Sequence, residues 1–432
     1  MIEILQILLF FFIFILLLFI PFNIFSSLNL PSNIDIVEKT SLNLVINLNL
    51  LLFLSFLPLS IQSIQPIVIL SYLLVLIISY RKNFDLIFVF FKSISPLFII
   101  FFLLAINISS EIFLGWDAKF FYYIKSLFFY EEKTIFDLYK FEHSMWHPHF
   151  GSYLWGFFWT LSFVDNEHFG RLFYLFLFCY SFFAVSKINK KQLINNTIFL
   201  ILIFLFYEYN FFSGLQEILI FSFLVLISKY FFLFLKNNKD EMFLLYLIIL
   251  FSNLLIWIKS EGIVYFFILL ILLLIQNKIS IKRRLFLSAL FISFYLLKLV
   301  IYDISNLENG QKILYDIEYI LNLDFNLIFY KLSNIVVWFF YYLSNNIFLS
   351  IFIFLIFYEK LFVKEKNRIN TSYFNILIIY SFFVILFIIS AYIFREMEIE
   401  YAIRTTMDRL LMTASGFFVY PSIKLLNKKL YR

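Results

Sequence analysis

Apolar runs of about 20 residues recur along the whole chain, and they decide what it can fold into. Candidate spans fall at roughly 4–22, 46–61, 64–80, 86–106, 169–186, 193–210, 215–235, 242–258, 261–276, 285–301, 344–358, 371–394 and 408–426. The runs are continuous, whereas a membrane barrel needs short alternating segments, so they predict an all-α polytopic membrane protein. Pro58 and Pro66 leave open whether 46–80 is two spans or one broken pair, giving 11–13 transmembrane helices. Composition agrees: 63% of residues are hydrophobic and 14% charged. Soluble domains are about 25% charged. The first run, Ile4–Phe22, has neither a basic flank nor a small-residue cleavage site. It reads as a retained membrane helix rather than a cleaved signal peptide.

Loop charge sets the orientation. Lys and Arg cluster at Arg81-Lys82, Lys187 to Lys191, Lys236 with Lys239, Lys278 to Arg284, Lys360 to Arg368 and Lys424 to Arg432. All face the cytoplasm if Pro148–Phe163 does not cross, so that stretch reads as a helix lying in the membrane interface. The net charge of +6 belongs to these loop clusters and does not point to nucleic acid. The single cysteine, Cys179, lies inside an apolar run and has no disulfide partner in the chain. No repeat or linker divides the chain, so 1–432 reads as one membrane domain. Its outer face collects the loop 107–168, the turns near 207–217 and 259–262, a second loop 302–343 whose closing aromatic run Val336–Tyr342 suits a second interfacial helix, and 395–408.

The outer loop 107–168 is the main polar island, holding all four histidines and a run of carboxylates and lysines. Asp117 suits a general base or a metal-held phosphate site, and equally a helix N-cap. Lys125 suits a phosphate, or a snorkelling surface lysine. His147 and His149, separated by Pro148, suit hydrogen bonds to phosphate or sugar better than zinc, since neither cysteines nor an HExxH pattern accompany them. Glu208 and Glu217 are candidates for a second carboxylate, Glu217 more so because it enters an apolar span. Lys259 and Glu261 form either a mutual salt bridge or a phosphate ligand with its orienting acid. Arg404 and Arg409 offer forked donors to phosphate, or anchor the last span.

Five of these segments fall in an order that resembles a known family. They are WDA-x-x-x-Tyr-x-x-Lys-Ser at Trp116–Ser126, His147-Pro148-x-Phe150, Ser213-Gly214-x-x-Glu217, Lys259-Ser260-Glu261-Gly262 and Asp408-Arg409-Leu410-Leu411. The set resembles uncharacterised bacterial members of the GT-C superfamily of membrane glycosyltransferases. Here His149 and Glu217 stand where those proteins carry aspartate, and Ser260 where they carry asparagine. The resemblance implies a GT-C-like bundle with interfacial helices in its first outer loop. It also implies a polyprenyl-phosphate sugar donor, a glycan or lipid-linked acceptor, and inverting transfer on the periplasmic face of a bacterial inner membrane. Asp117 would be the base and Glu217 the second acid, with Lys125, His147, His149, Lys259, Glu261, Arg404 and Arg409 around the phosphate and substrate. No cofactor is fixed by it, and a divalent metal stays open. The competing expectations are a transporter or flippase of lipid-linked saccharides, which needs charges deep inside several spans, and a polymerase or ligase with its large outer loop late in the chain.

Overall fold

A computed structural model describes residues 2–20, 35–82, 84–110, 113–140, 147–189, 191–206, 212–236, 241–307, 318–346, 349–350, 353–354, 371–395 and 398–430. Among them there is no β-strand. The helices are α1 (Ile2–Phe19), α2 (Ile36–Leu54), α3 (Ile61–Lys82), α4 (Phe84–Ser110), α5 (Ile124–Tyr130), α6 (Phe150–Trp159), α7 (His168–Ser186), α8 (Gln192–Phe206) and α9 (Glu217–Lys236). There follow α10 (Glu241–Ile258), α11 (Ser260–Leu274), α12 (Ile281–Ile304), α13 (Glu318–Leu321), α14 (Phe325–Asn345), α15 (Thr371–Ile393) and α16 (Ile399–Leu430). Eight of the described helices are long and apolar enough to cross a membrane, and four more apolar helices are shorter. The chain is thus an all-helical protein with the makings of a multi-pass membrane protein.

The centre of the bundle is α7 and α9. Both are apolar on nearly every side, a pattern that lipid or protein can cover, and here protein covers it. All of α7 is buried, as is α9 except at Leu233 and Lys236. α9 makes its most extensive pairing with α16. The two run parallel: Glu217 lies by Arg409 near one end, and the Phe232 ring by Tyr420 toward the other. Between them, Ser228 Oγ donates to the Phe417 carbonyl at 2.7 Å, and the Gly416 backbone lies against Phe221. Between membrane helices the association rests on van der Waals packing rather than on expulsion of water. Here phenylalanine supplies much of it. Phe14 of α1 stacks on Phe176 with ring centroids 4.7 Å apart and meets Phe158 edge-on at 5.2 Å. Cys179 sits in this core and faces no outer surface.

The bundle has two chemically different ends. At one, the turn after α7 and the last turns of α16 are joined by an amide pair between Asn189 and Asn427 at 2.9 Å, beside Lys187, Lys191 and Lys424. At the other lie the starts of α7 and α9, the end of α10 and the segment 113–130. Arg171, Glu217, Lys259 and Asp117 all belong to that second end.

At 46–80 the structure decides between the two readings left open, and two later stretches differ from theirs. Pro58 lies in a turn and α2 and α3 are separate helices, with Pro66 tolerated near the start of α3. The stretch 148–163 contains α6, only ten residues and so about 15 Å long. That is half the about 30 Å of a bilayer core, so α6 alone does not cross it. No residue of α6 faces outward, however; it is packed between α5 and α7 rather than lying with one face to lipid. Lastly, 302–343 is helical well before Val336: α12 extends to Ile304 and most of the described remainder belongs to the 21-residue helix α14, largely outward-facing. Its alternating aromatic and polar residues conceal a continuous helical face.

Close approach of α10 and α11 depends on Gly262. A Cβ there would lie 1.9 Å from the Leu255 carbonyl oxygen, a backbone atom that cannot rotate away. Gly262→Ala is expected to cost at or above the top of the about 1–3 kcal/mol range for overpacking, despite the better helix propensity of alanine. The check is the melting of the detergent-solubilised variant against wild type.

Candidate functional site

The site begins with two backbone turns tied together. Gly115 N–H donates to the Ser213 carbonyl at 2.9 Å. One guanidinium then bridges the two segments: Arg171 Nη1 donates to Phe113 O at 2.9 Å and to Phe212 O at 2.7 Å. Arg171 is itself held by Glu167, one helical turn earlier, at 2.7 and 2.9 Å. Next to this clamp Gly214 adopts φ +83°, and its backbone rests on the Trp155 ring. Only glycine takes up that conformation without strain. The turn leads straight into α9 and delivers Glu217 as its first residue.

On the other strand of the clamp, Asp117 follows Trp116 and opens a π-helical turn, Ala118–Tyr123. Its side chain makes no capping hydrogen bond. Instead it meets Arg409 of α16, 292 residues away. Arg409 Nη1 also lies 3.2 Å from Glu217 Oε1. The same oxygen accepts from Lys259 Nζ at 2.8 Å, and Lys259 lies 3.0 Å from Glu261 Oε1. The result is one chain of ion pairs, Asp117–Arg409–Glu217–Lys259–Glu261, drawn from four segments. Three carboxylates face two cations, a formal excess of one negative charge. Glu217, in the middle, has its side chain 4% exposed, while the two end carboxylates, Asp117 and Glu261, are 22% and 25% exposed, so the network is closed at its centre and reaches the outside at both ends.

A buried amide sets the spacing of α9 from α10. With its oxygen turned toward α6, the Gln216 side chain accepts from the Ser152 hydroxyl and amide at 3.0 Å and donates to the Ile258 carbonyl at 2.6 Å. Gln216 therefore locks the residue before Glu217 to the residue before Lys259. The Gly151 backbone leaves the room that this amide occupies.

The remaining candidates lie outside the chain of ion pairs. Lys125 is buried and donates to the His147 carbonyl at 2.5 Å; burial pushes its ammonium down to about 7. The His147 ring lies against Phe121 and Tyr122. Burial above all, with Lys125 and Lys259 nearby, pushes it down to about 3 against the opposing pull of Glu217, so it is neutral at ordinary pH. His149 is fully buried at the junction of α2, α6 and α12. Its Nε2 is 2.9 Å from Ser55 Oγ, and Tyr302 accepts its backbone N–H at 3.2 Å, an arrangement that fixes the fold and does not reach the network. Arg404 lies five residues before Arg409, exposed, with its guanidinium 4.8 Å over the Trp338 ring. Glu208, His143, Glu142 and Trp146 lie outside the described residues.

Arg171 and Gln216 were not among the candidates read from the sequence. Arg171 carried a usable signal, an arginine inside an apolar run with Glu167 four residues before it. Gln216 carried none. Among the described residues no group of three or more His, Cys, Asp or Glu side chains has the arrangement of a metal site. Compared with family models, with curated proteins and with solved structures, the chain matches none.

Breaking one member of a buried ion pair strands its partner, at a cost of about 3–5 kcal/mol. Lys259→Met leaves Glu261 without its cation and the buried Glu217 with Arg409 alone, and is expected to lose up to that much in chemical unfolding. Adding Glu217→Gln should restore part of the loss. Lys140→Ala, which breaks only the exposed pair with Asp137, should cost less than about 1 kcal/mol.

Proposed function

We propose that the chain is an integral-membrane glycosyltransferase of GT-C type. In this reading it moves a sugar from a polyprenyl-phosphate donor to a lipid-linked or cell-envelope glycan acceptor. The observation that carries it is the network joining Asp117, Arg409, Glu217, Lys259 and Glu261 at one end of the bundle, buried at Glu217 and reaching the outside through Asp117 and Arg409 as well as through Glu261. It supplies a carboxylate for the acceptor proton and cations for a phosphate, beside apolar helices suited to a prenyl chain.

In the resting arrangement both cations are already engaged by carboxylates. A donor phosphate entering at Arg409 displaces Asp117 from the guanidinium, and the freed carboxylate becomes available as general base. The acceptor hydroxyl gives its proton to Asp117 as its oxygen bonds to the anomeric carbon. The bond from that carbon to the phosphate oxygen breaks on the opposite face, with inversion, and polyprenyl phosphate leaves. Lys259, held between Glu217 and Glu261, keeps the far end of the network fixed while Arg409 changes partners.

A transporter reading needs a polar path through the bundle. The next buried charge along α9 is Lys229, twelve residues beyond Glu217. At the helical rise per residue that is about 18 Å along the axis. Lys229 donates to the Ala184 carbonyl at 2.9 Å, and the α9 residues between are apolar apart from Ser222 and Ser228. That favours chemistry at one end over passage through the middle. Lys187, Lys191 and Lys424 at the opposite end support, by the loop-charge rule, a network on the periplasmic side of a bacterial inner membrane.

Asp117→Asn should lower transfer from radiolabelled polyprenyl-phosphate hexose or pentose donors at least about 100-fold, the lower range for loss of a general base. Membrane insertion and melting should change little. Full activity in that variant, or no transfer by wild type from either donor, overturns the reading. For the sidedness, single cysteines at positions 119 and 401 should react with a membrane-impermeant maleimide from the outside; labelling only after the membrane is opened contradicts it.

A further inference from the structure

Next to the ion network lies a second feature that the scheme above leaves unused. Trp338, Tyr341, Tyr342 and Asn345 of α14 follow i, i+3, i+4, i+7 spacing and so share one face of the helix. With Arg404 and Asp408, one turn apart on α16, they line an open cleft of about 470 Å³. That volume is within the about 300–1,000 Å³ of ligand sites. Asp408 precedes Arg409, about 100° round the helix, so the cleft and the network share α16 as a common wall.

We propose that this cleft binds a pyranose ring of the glycan acceptor. The proposal rests on the glycosyltransferase reading and adds to it where the acceptor lies. An aromatic face carries partial negative charge and attracts the weakly positive C–H face of a sugar ring. Tyr341 is more than half exposed and presents its ring to the opening. The walls also hold groups that seek hydroxyls. The Asp408 carboxylate, the Trp338 indole N–H and the Tyr341 hydroxyl make no hydrogen bond or ion pair with another described residue. Arg404 engages Glu400 at 3.4 Å with one of its nitrogens. A guanidinium has five N–H donors, so others remain for a ligand.

These polar groups discriminate among occupants. A prenyl chain would bury the Asp408 carboxylate and the indole N–H without partners, which is costly. A phosphate would meet the Asp408 charge. A neutral polyhydroxylated ring satisfies carboxylate, indole and guanidinium together and leaves its apolar face for the aromatic rings. A sugar held there lies against α16 at Asp408, the residue before Arg409, which is the partner of Asp117.

The test is binding without turnover. The full chain in detergent is applied to an oligosaccharide array of hexose, N-acetylhexosamine and uronate oligomers, with Trp338→Ala and Asp408→Asn alongside. Wild type should retain neutral pyranose oligomers, and each variant should bind them at least tenfold more weakly. Trp338→Phe, which keeps a ring face, should recover part of the loss; melting of all three variants should match wild type. Retention of no oligosaccharide, retention unchanged in Trp338→Ala, or displacement of bound sugar by farnesyl phosphate alone overturns the proposal. Glycan binding by a protein that transfers nothing would sink the transferase reading and spare the cleft. Asp117-dependent transfer with glycan binding indifferent to Trp338 would do the reverse.

Discussion

One oxygen holds the functional end of this protein together. Glu217 Oε1 is shared by Arg409 and Lys259, and through it α9, α16 and the α10–α11 turn are bound at one point. A buried carboxylate tolerates its surroundings only while both cations stay, and each cation is in turn tied to a second acid. Desolvation makes the buried centre, Glu217 with its two cations, stable together and costly apart, while the more exposed Asp117 can leave at less cost. Its value is positional, since it assigns three helices and a loop to fixed places around Asp117.

That position is set up by groups that do no chemistry themselves. Arg171 fastens the segment before Asp117 to the segment before Glu217 by reading two backbone carbonyls at once. Gln216 fastens α9 to α10. Both are buried polar side chains with their partners supplied, which is the condition for a rigid polar site inside an apolar bundle. The acceptor cleft has no such support on its α14 side, where the helix is packed chiefly against the first turns of α16 and against α15.

Much of this was legible in the chain itself, for a physical reason. In a sequence this greasy, a charge at the end of an apolar run must find a partner. Asp117, Glu217, Lys259, Glu261 and Arg409 all stood out on that ground, and they are the residues that the fold joins. Burial of α6 was not legible, because a short apolar helix looks the same whether lipid or protein covers it. α14 was legible only in part: its aromatic run Val336–Tyr342 read as a second interfacial helix, while the residues from Phe325 to Ile335 read as loop. His149 stood out for its neighbours His147 and Pro148, yet its environment comes from Ser55 and Tyr302, far away in sequence. Gln216 shows the same limit: an amide is ordinary in any turn, and only tertiary structure makes it a spacer.

The start of α9 at Glu217 and of α11 at Ser260 has an electrical consequence. Each helix N-terminus carries about half a positive elementary charge from its unpaired N–H groups. Both ends are directed into the network, while the C-terminus of α10 at Ile258 brings about half a negative charge to the same place, so the backbone offsets about half of the single negative charge left over among the side chains. On the proposed glycosyltransferase reading, a phosphate enters by exchange, taking the guanidinium that one carboxylate gives up, while the fixed partial charges of the backbone stay where they are.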